Sequence, residues 1–568
     1  MNTINADPKV DGQAGIMIPV YEALAKDIKG LGVDIVFGLI SDDICQLVAT
    51  LDSIGVRFCG ARHETNAIMM AEGYAAASGR LGIAAIGRGP AAANGMHGAM
   101  SASRSGSPVV IIMGEPPHRD SNSNMGGPDL KAYAAPEVFT AAGIRTFMPT
   151  SASDARVAFA DAVAAAMRGC TVTLHLPTDI QAAQIKVADR EVQSTPNVAS
   201  AKINTRAASI DAAVAILENH RKPLIVAGIG AYRAGAREAL EQLAEKTGAL
   251  LLTSLKGKDM FRGHPYDMGI LGSSSHSLAR RYIDQADCVI AFGASMNYLT
   301  MVSGKSLPEV PLIHVDTVRT NIGRWWFADV GIVGDARAVA EQLTAALAER
   351  SDAEKPFHSE DIRQSLAAFD HRQDFQAAHT RWTVDPRSLA LELSDLLPRQ
   401  RNVVFDGGNF MAVWAYVSVP NPGHFKSTLD FGSVGLGLGT AMGIAAARPE
   451  CPTVLFIGDG GLLMSMGELE AVIREDLPLV IIVMNDAAYG AEVHILQAQN
   501  LPVAKAQFAD VDFAAIAAPL GYQVATVHSL DELRALAPTL AKPEGPILID
   551  CKINSAIIAP FISEFTGG

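Results

Sequence analysis

The sequence predicts an α/β protein of three parallel-sheet domains, and three observations carry the prediction. Short apolar runs ending in Gly or a polar residue alternate with longer Ala-rich helical patterns along the whole chain, as strands joined by crossover helices do. Two polar stretches without strand character, roughly 188–205 and 350–385, interrupt that rhythm and leave domains at 1–188, 205–350 and 385–568. The chain has 568 residues, enough for several substantial cores at ~150 residues each. The balance of 46 Lys plus Arg against 60 Asp plus Glu gives a net charge of −14 with no basic run, which argues against nucleic acid or an anionic membrane as partner. Six cysteines are scattered without metal-ligand or disulfide spacing, as in a protein of the reducing cytoplasm. The N-terminus lacks a basic start followed by an apolar block, and the uncharged stretch Phe431 to Ala447 is broken by five glycines. Neither a signal peptide nor a membrane span is expected.

Taken in order, the first third offers three local patterns. VFGLISDDICQL sets Asp42 in the loop after a strand, a position that also suits a helix cap. VRFCGARHETNAIMMAEGYAAASG runs from strand into helix with Glu64 at the opening, where a carboxylate is favoured by the helix dipole alone. GRGPAAANGMHGAM, with Pro90 and Asn94, is a turn entering a helix. In the middle third, PLIVAGIGAYRAGA imitates a dinucleotide loop, but Arg233 stands where the third small residue is required and no acidic residue closes the next strand. It reads as a plain βα turn, against a nicotinamide-dependent oxidoreductase.

The last third holds the informative constellation. In TVLFIGDGGLLMSMGELEAVIREDLPLVIIVMNDAAYGAEVHILQ, Asp459 lies just beyond one apolar strand and Asp486 just beyond the next. If those parallel strands are neighbours, their ends sit ~5 Å apart and both carboxylates project from one sheet edge. That donor set suits Mg2+, which takes oxygen ligands from one or two carboxylates plus phosphate. Gly458, Gly460 and Gly461 would let backbone amides approach an anion ahead of a helix. Singly, each Asp is equally well a turn or cap residue; the pairing favours a metal with a diphosphate.

Gly458-Asp459-Gly460 followed by Asn485-Asp486 resembles the cofactor motif of the thiamine diphosphate-dependent decarboxylases and carboligases, the family of acetohydroxyacid synthase, pyruvate oxidase, pyruvate decarboxylase, benzoylformate decarboxylase and benzaldehyde lyase. The resemblance covers essentially the whole chain. It implies three doubly wound α/β domains (pyrimidine-binding, central and diphosphate-binding), thiamine diphosphate and Mg2+ as cofactors, and a homodimer or homotetramer in which one active site draws on two subunits. Its metal ligands would be Asp459, Asp486 and the Ala488 carbonyl, with Asp486 replacing the family's usual Asn. Glu64 would touch the aminopyrimidine, favouring the imino tautomer that removes the thiazolium proton. Pro90 and Asn94 fall in register with the family's Gly-Pro-Gly-x-x-Asn loop, which carries Ala91 in place of one glycine. Phe431 to Gly435 resembles the wedge loop, with the Gly432 carbonyl accepting from the aminopyrimidine and Val434 supporting the folded rings, a smaller residue than relatives use. VVFDGGNFMAVW would bring Gly408 and Asn409 to the phosphates; Gly458, Gly460, Gly461 and Tyr489 complete the expected cofactor site. FAD or a nucleotide in the central domain is left open.

For the reaction, Asp42 and Glu492 fall where pyruvate decarboxylases carry active-site carboxyls. Two such groups would favour loss of a bound 2-oxo acid's carboxylate, and repulsion with burial would raise at least one pKa into proton-donor range. Each also has an ordinary reading, Asp42 as a helix cap and Glu492 as a solvent-facing residue. The expectation is decarboxylation of a small 2-oxo acid, followed by protonation or carboligation to an aldehyde or ketone. A carboligase or acyloin lyase without obligatory decarboxylation is the alternative, and a catalytically silent cofactor-binding partner a third. The family's histidine pair has no counterpart beyond His118, Met125 stands where carboligases often use Gln, and His494 is placed either towards the cavity or towards solvent.

Overall fold

The computed structural model describes residues 16–117, 130–131, 133–186, 205–351 and 355–566. The boundary expected at 188–205, His118 and Met125 lie almost wholly or wholly outside the described residues. Three six-stranded sheets, each entirely parallel, organise the chain. The first contains β1 (Ile35–Gly38), β2 (Arg57–Gly60), β3 (Gly82–Ile86), β4 (Val109–Glu115), β5 (Arg145–Phe147) and β6 (Thr171–Pro177), in the order β2-β1-β3-β4-β6-β5. The second holds β7 (Pro223–Ala227), β8 (Leu250–Thr253), β9 (Asp267–Ile270), β10 (Cys288–Phe292), β11 (Leu312–Asp316) and β12 (Val330–Val333), in the order β9-β8-β7-β10-β11-β12. The third holds β13 (Asn402–Phe405), β14 (Phe425–Ser427), β15 (Thr453–Gly458), β16 (Leu479–Asn485), β17 (Gln523–Val527) and β18 (Ile547–Lys552), in the order β14-β13-β15-β16-β18-β17. The first and third sheets therefore share one topology. The central sheet has the order of a dinucleotide fold, although its Gly228 and Gly230 are used for packing: a Cβ on Gly230 would press within 2.9 Å of the Gly293 Cα.

Helices cover both faces, which is why central strands such as β4 and β16 are buried at every residue and read as unbroken apolar runs. The helices that matter below are α1 (Glu64–Ser78), α2 (Pro90–Ser105), α3 (Gly437–Ala447), α4 (Asp459–Ser465), α5 (Gly490–Ala498) and α6 (Pro560–Thr566). The first sheet forms one compact unit, and the second and third sheets together form another. Inside that second unit the two sheets are tied by buried polar contacts: Lys258 Nζ donates to the Val417 carbonyl at 2.8 Å and Trp414 Nε1 to Ser274 Oγ at 2.6 Å. The polar stretch 350–385, expected as a boundary, contains a helix at Glu360–Ala368 whose N-cap Ser359 accepts from Ile362 N. Phe357 and Ile362 enter the central core, so two apolar residues in a polar context anchor this segment. No helix among the described residues is long and apolar enough to cross a membrane.

Candidate active site

β15 and β16 are neighbours in register, Gly458 opposite Met484, so Asp459 and Asp486 leave the same edge of the third sheet side by side. Asp459 opens α4 and is 2% exposed, and its Oδ2 has no hydrogen-bond partner. Burial pushes its carboxyl up to about 6, against backbone N–H groups of Gly460, Ala488 and Ala487 that pull it down. Asp486 is pushed up to about 7, first by burial and then by the neighbouring Asp459 charge. A buried and a half-buried carboxyl that repel each other, the buried one with an orphaned oxygen, are what a divalent cation would satisfy.

The backbone between them is shaped for the same purpose. Ala487 sits at φ 55°, a left-handed conformation that costs a non-glycine residue ~1–2 kcal/mol. Phe508 N donates to the Ala487 carbonyl at 3.0 Å and Tyr489 N to the Ala506 carbonyl at 2.8 Å. The bridge thus formed, Ala488 against Gln507, leaves the Ala488 carbonyl out of the ladder. Glycine is required around this corner: a Cβ on Gly460 would lie 2.5 Å from the Tyr489 ring, and one on Gly461 2.5 Å from Asp406 Oδ2. The residues present fit a Mg2+ ion with a diphosphate: two carboxylates, one carbonyl, and a cradle that any side chain would fill.

Asp406 was not singled out by sequence, and it organises the loop opposite. Fully buried at the end of β13, it accepts from Gly435 N at 2.7 Å, Leu436 N at 3.2 Å, Gly437 N at 3.1 Å and Thr428 Oγ1 at 3.0 Å. Burial raises its pKa while those donors oppose the shift. It thereby ties the wedge loop and the start of α3 to the sheet edge. Gly432 adopts φ 69° ahead of this anchor, and Val434 lies over two glycines, its methyls within 3.3 Å of a Cβ on Gly461 and 3.4 Å of one on Gly407. The only sequence signal was an Asp ending an apolar strand. Asp406→Ala should lower stability by about 3 kcal/mol or more, since buried N–H groups lose their acceptor at ~1–3 kcal/mol each. A denaturation midpoint corresponding to less than about 1 kcal/mol would refute the anchoring role.

Asn409 is buried, 7% exposed, beside the C-terminal segment. Its Nδ2 donates to the Ile557 carbonyl at 2.7 Å and its Oδ1 accepts from Ala559 N at 2.9 Å. Both ends of the amide hold the C-terminal segment. Gly408, at φ 153°, turns the chain beside Phe410.

In the first unit, Glu64 opens α1 and is 8% exposed, with His63 as N-cap accepting from Thr65 N. Asn94 Nδ2 donates to Glu64 Oε2 at 3.1 Å, and Thr65 Oγ1 donates to the Asn94 carbonyl at 2.6 Å. Two residues chosen separately from sequence are thus brought into contact, with Asn94 acting on Glu64. Pro90 is the first residue of α2, after Gly89 at φ 62°, a role of backbone direction. Asp42 is not a raised carboxyl of the pair expected with Glu492. Its side chain is 75% exposed and ion-paired with Lys131, which holds the carboxyl below the usual range. The buried neighbour is Asp43, which accepts from Arg88 N at 3.1 Å. In the second unit, Glu492 is exposed on α5, whereas His494 is buried.

Comparison with known proteins agrees with this geometry. The sequence matches the thiamine pyrophosphate enzyme profiles for the N-terminal TPP binding domain over 18–135, the central domain over 210–343 and the C-terminal TPP binding domain over 406–551. The chain belongs to the thiamine pyrophosphate enzyme family. It is similar to the probable acetolactate synthase large subunit of Methanocaldococcus jannaschii, 26% identical over 95% of this chain and 93% of that one. Sulfoacetaldehyde acetyltransferase of Alcaligenes xylosoxydans xylosoxydans is 29% identical over 92% and 89% of the two chains. Acetolactate synthase isozyme 2 large subunit of Escherichia coli K12 is 26% identical over 93% and 94%. As a thiamine pyrophosphate enzyme, the protein is a thiamine diphosphate-dependent catalyst with a small-molecule substrate; the second sheet lies within the central matched region, the third spans the C-terminal one, and β1 to β4 of the first lie within the N-terminal one.

Proposed function

We propose that the protein uses Mg2+ and thiamine diphosphate to decarboxylate a 2-oxo acid, then protonates the product or joins it to an aldehyde or ketone. The observation that carries this is the pairing of Asp459 and Asp486 at adjacent strand ends with an orphaned Asp459 oxygen. Asp459, Asp486 and the Ala488 carbonyl would hold the metal; Gly458, Gly460, Gly461 and Gly408 would give the diphosphate close backbone approach; Gly432, Val434 and Tyr489 would line the wedge side. When bound, thiamine diphosphate supplies a carbon acid beside a cationic ring nitrogen, which takes up the electron pair released with carbon dioxide. Glu64 would hold a proton against the pyrimidine, its carboxyl oriented by Asn94. Glu492 would face the reacting carbon from the first turn of α5. Homodimer or homotetramer assembly would unite Glu64 of one subunit with the metal site of another.

A second reading has its own support. Asp42 is neutralised by Lys131, which weakens the electrostatic push against a substrate carboxylate, and several relatives are named sulfoacetaldehyde acetyltransferase. On that reading the enzyme forms or cleaves the carbon–carbon bond of a 2-hydroxy ketone without releasing carbon dioxide, and the two-carbon aldehyde in those relatives' name likewise has no carboxylate to lose. Supplying a panel of 2-oxo acids and 2-hydroxy ketones with and without aldehyde acceptors, and measuring carbon dioxide and products, separates the two. In the same assay Glu492→Gln should lose decarboxylation by about 100-fold while retaining carbon–carbon bond formation; equal rates for both steps would place Glu492 outside the site.

A further inference from the structure

His494 lies on α5, 6% exposed, and neither ring nitrogen has a hydrogen-bond partner. Burial holds its pKa below the ordinary imidazole value, with Gln497 and the backbone at Ser555 and Ile557 pulling the other way. A neutral imidazole presents one donor and one acceptor, and leaving both buried and unmatched is costly. The ring faces a cavity of about 260 Å3. That cavity is also lined by Asp486, Ala488 and Gly490, next to the carboxyl pair, and by Gln497 and Ser555. Among its described lining residues there is no Lys or Arg. The N-terminus of α5 opens into it at Gly490, so the cavity combines a helix dipole, neutral donors and a cation position.

We propose that His494 donates a ring N–H to an oxyanion held beside the divalent cation, and that this oxyanion is the terminal phosphate of thiamine diphosphate. The assignment rests on the cofactor reading above. The negative charge is balanced by the metal and the helix, leaving His494 to fix the phosphate's orientation, where a cationic side chain would compete with the metal for the same oxygens. The carboxylate of an acidic substrate has the same hydrogen-bonding chemistry, and the experiment distinguishes the two sources.

Calorimetric titrations at saturating Mg2+ with thiamine diphosphate, inorganic pyrophosphate and unphosphorylated thiamine read the contact without turnover. His494→Phe should bind thiamine diphosphate and pyrophosphate on the order of tenfold more weakly and thiamine unchanged, with His494→Asn recovering part of the loss. In the wild-type protein, deuterium exchange at the His494 ring carbon should slow when Mg2+ and pyrophosphate are added and not with Mg2+ and thiamine, which tests the contact even if the variants fold poorly. Unchanged phosphate affinities with a raised KM for a 2-oxo acid would keep the donor role and overturn the phosphate as its partner. Unchanged affinities, exchange and KM overturn the proposal. Normal wild-type cofactor binding in that case leaves the cofactor reading standing, whereas absent wild-type binding overturns both.

Discussion

Replacing Asp459 by alanine is expected to weaken Mg2+-dependent thiamine diphosphate binding by at least about 100-fold, as loss of a charged metal ligand does. The residue is 2% exposed with an unpartnered oxygen, so removing it relieves a strained apo site while deleting the ligand. The variant should therefore be as stable as the metal-free wild type, or more so. Because Asp459 is pushed up to about 6 and Asp486 to about 7, the pH dependence has a definite sign. A carboxyl whose folded pKa lies above its unfolded value disfavours the fold as pH rises from the unfolded pKa through the folded one. Metal-free stability contributed by this pair should thus fall between about pH 4 and 7. Mg2+ needs both groups ionised, so the rise in melting temperature on adding Mg2+ and cofactor should be larger at pH 8 than at pH 5.5. Equal shifts at the two pH values, or wild-type affinity in the alanine variant, would remove the metal assignment.

Glu64→Gln is the second large effect. The amide is isosteric and can keep its place at the start of α1, so folding and cofactor affinity should change little. Turnover should fall by about 10²–10⁴, the range for loss of a positioned acid. The observation behind this is a carboxylate 8% exposed, held through Oε2 by Asn94. Asn94→Ala should lower turnover less steeply than Glu64→Gln, and the double variant should add little beyond Glu64→Gln alone, because Asn94 acts through Glu64. Near-normal turnover in Glu64→Gln, measured as product release under saturating cofactor, would put the activating acid elsewhere.

The sequence by itself determined the α/β class, the pairing of Asp459 with Asp486 at neighbouring strand ends and the place of Glu64 at a helix start, because each is local. Alternating apolar runs reveal parallel strands, and Asp459 and Asp486 each end such a run within one βαβ unit, whose right-handed crossover makes the two strands neighbours. What lies far apart along the chain was decided only by the tertiary structure. Asp406 becomes the anchor of a loop some thirty residues away because three N–H groups of that loop converge on it, and an Asp at a strand end carries no mark of such convergence. The Asn409 amide is held by Ile557 and Ala559 of the C-terminal segment, and Asp42 is ion-paired with Lys131. His494 on α5 has a helix-face position that sequence periodicity left ambiguous, and only packing buries it against the cavity. Side-chain chemistry is written residue by residue, but which groups share a desolvated space depends on how distant segments meet, and it is desolvation that turns an ordinary Asp or His into part of a site.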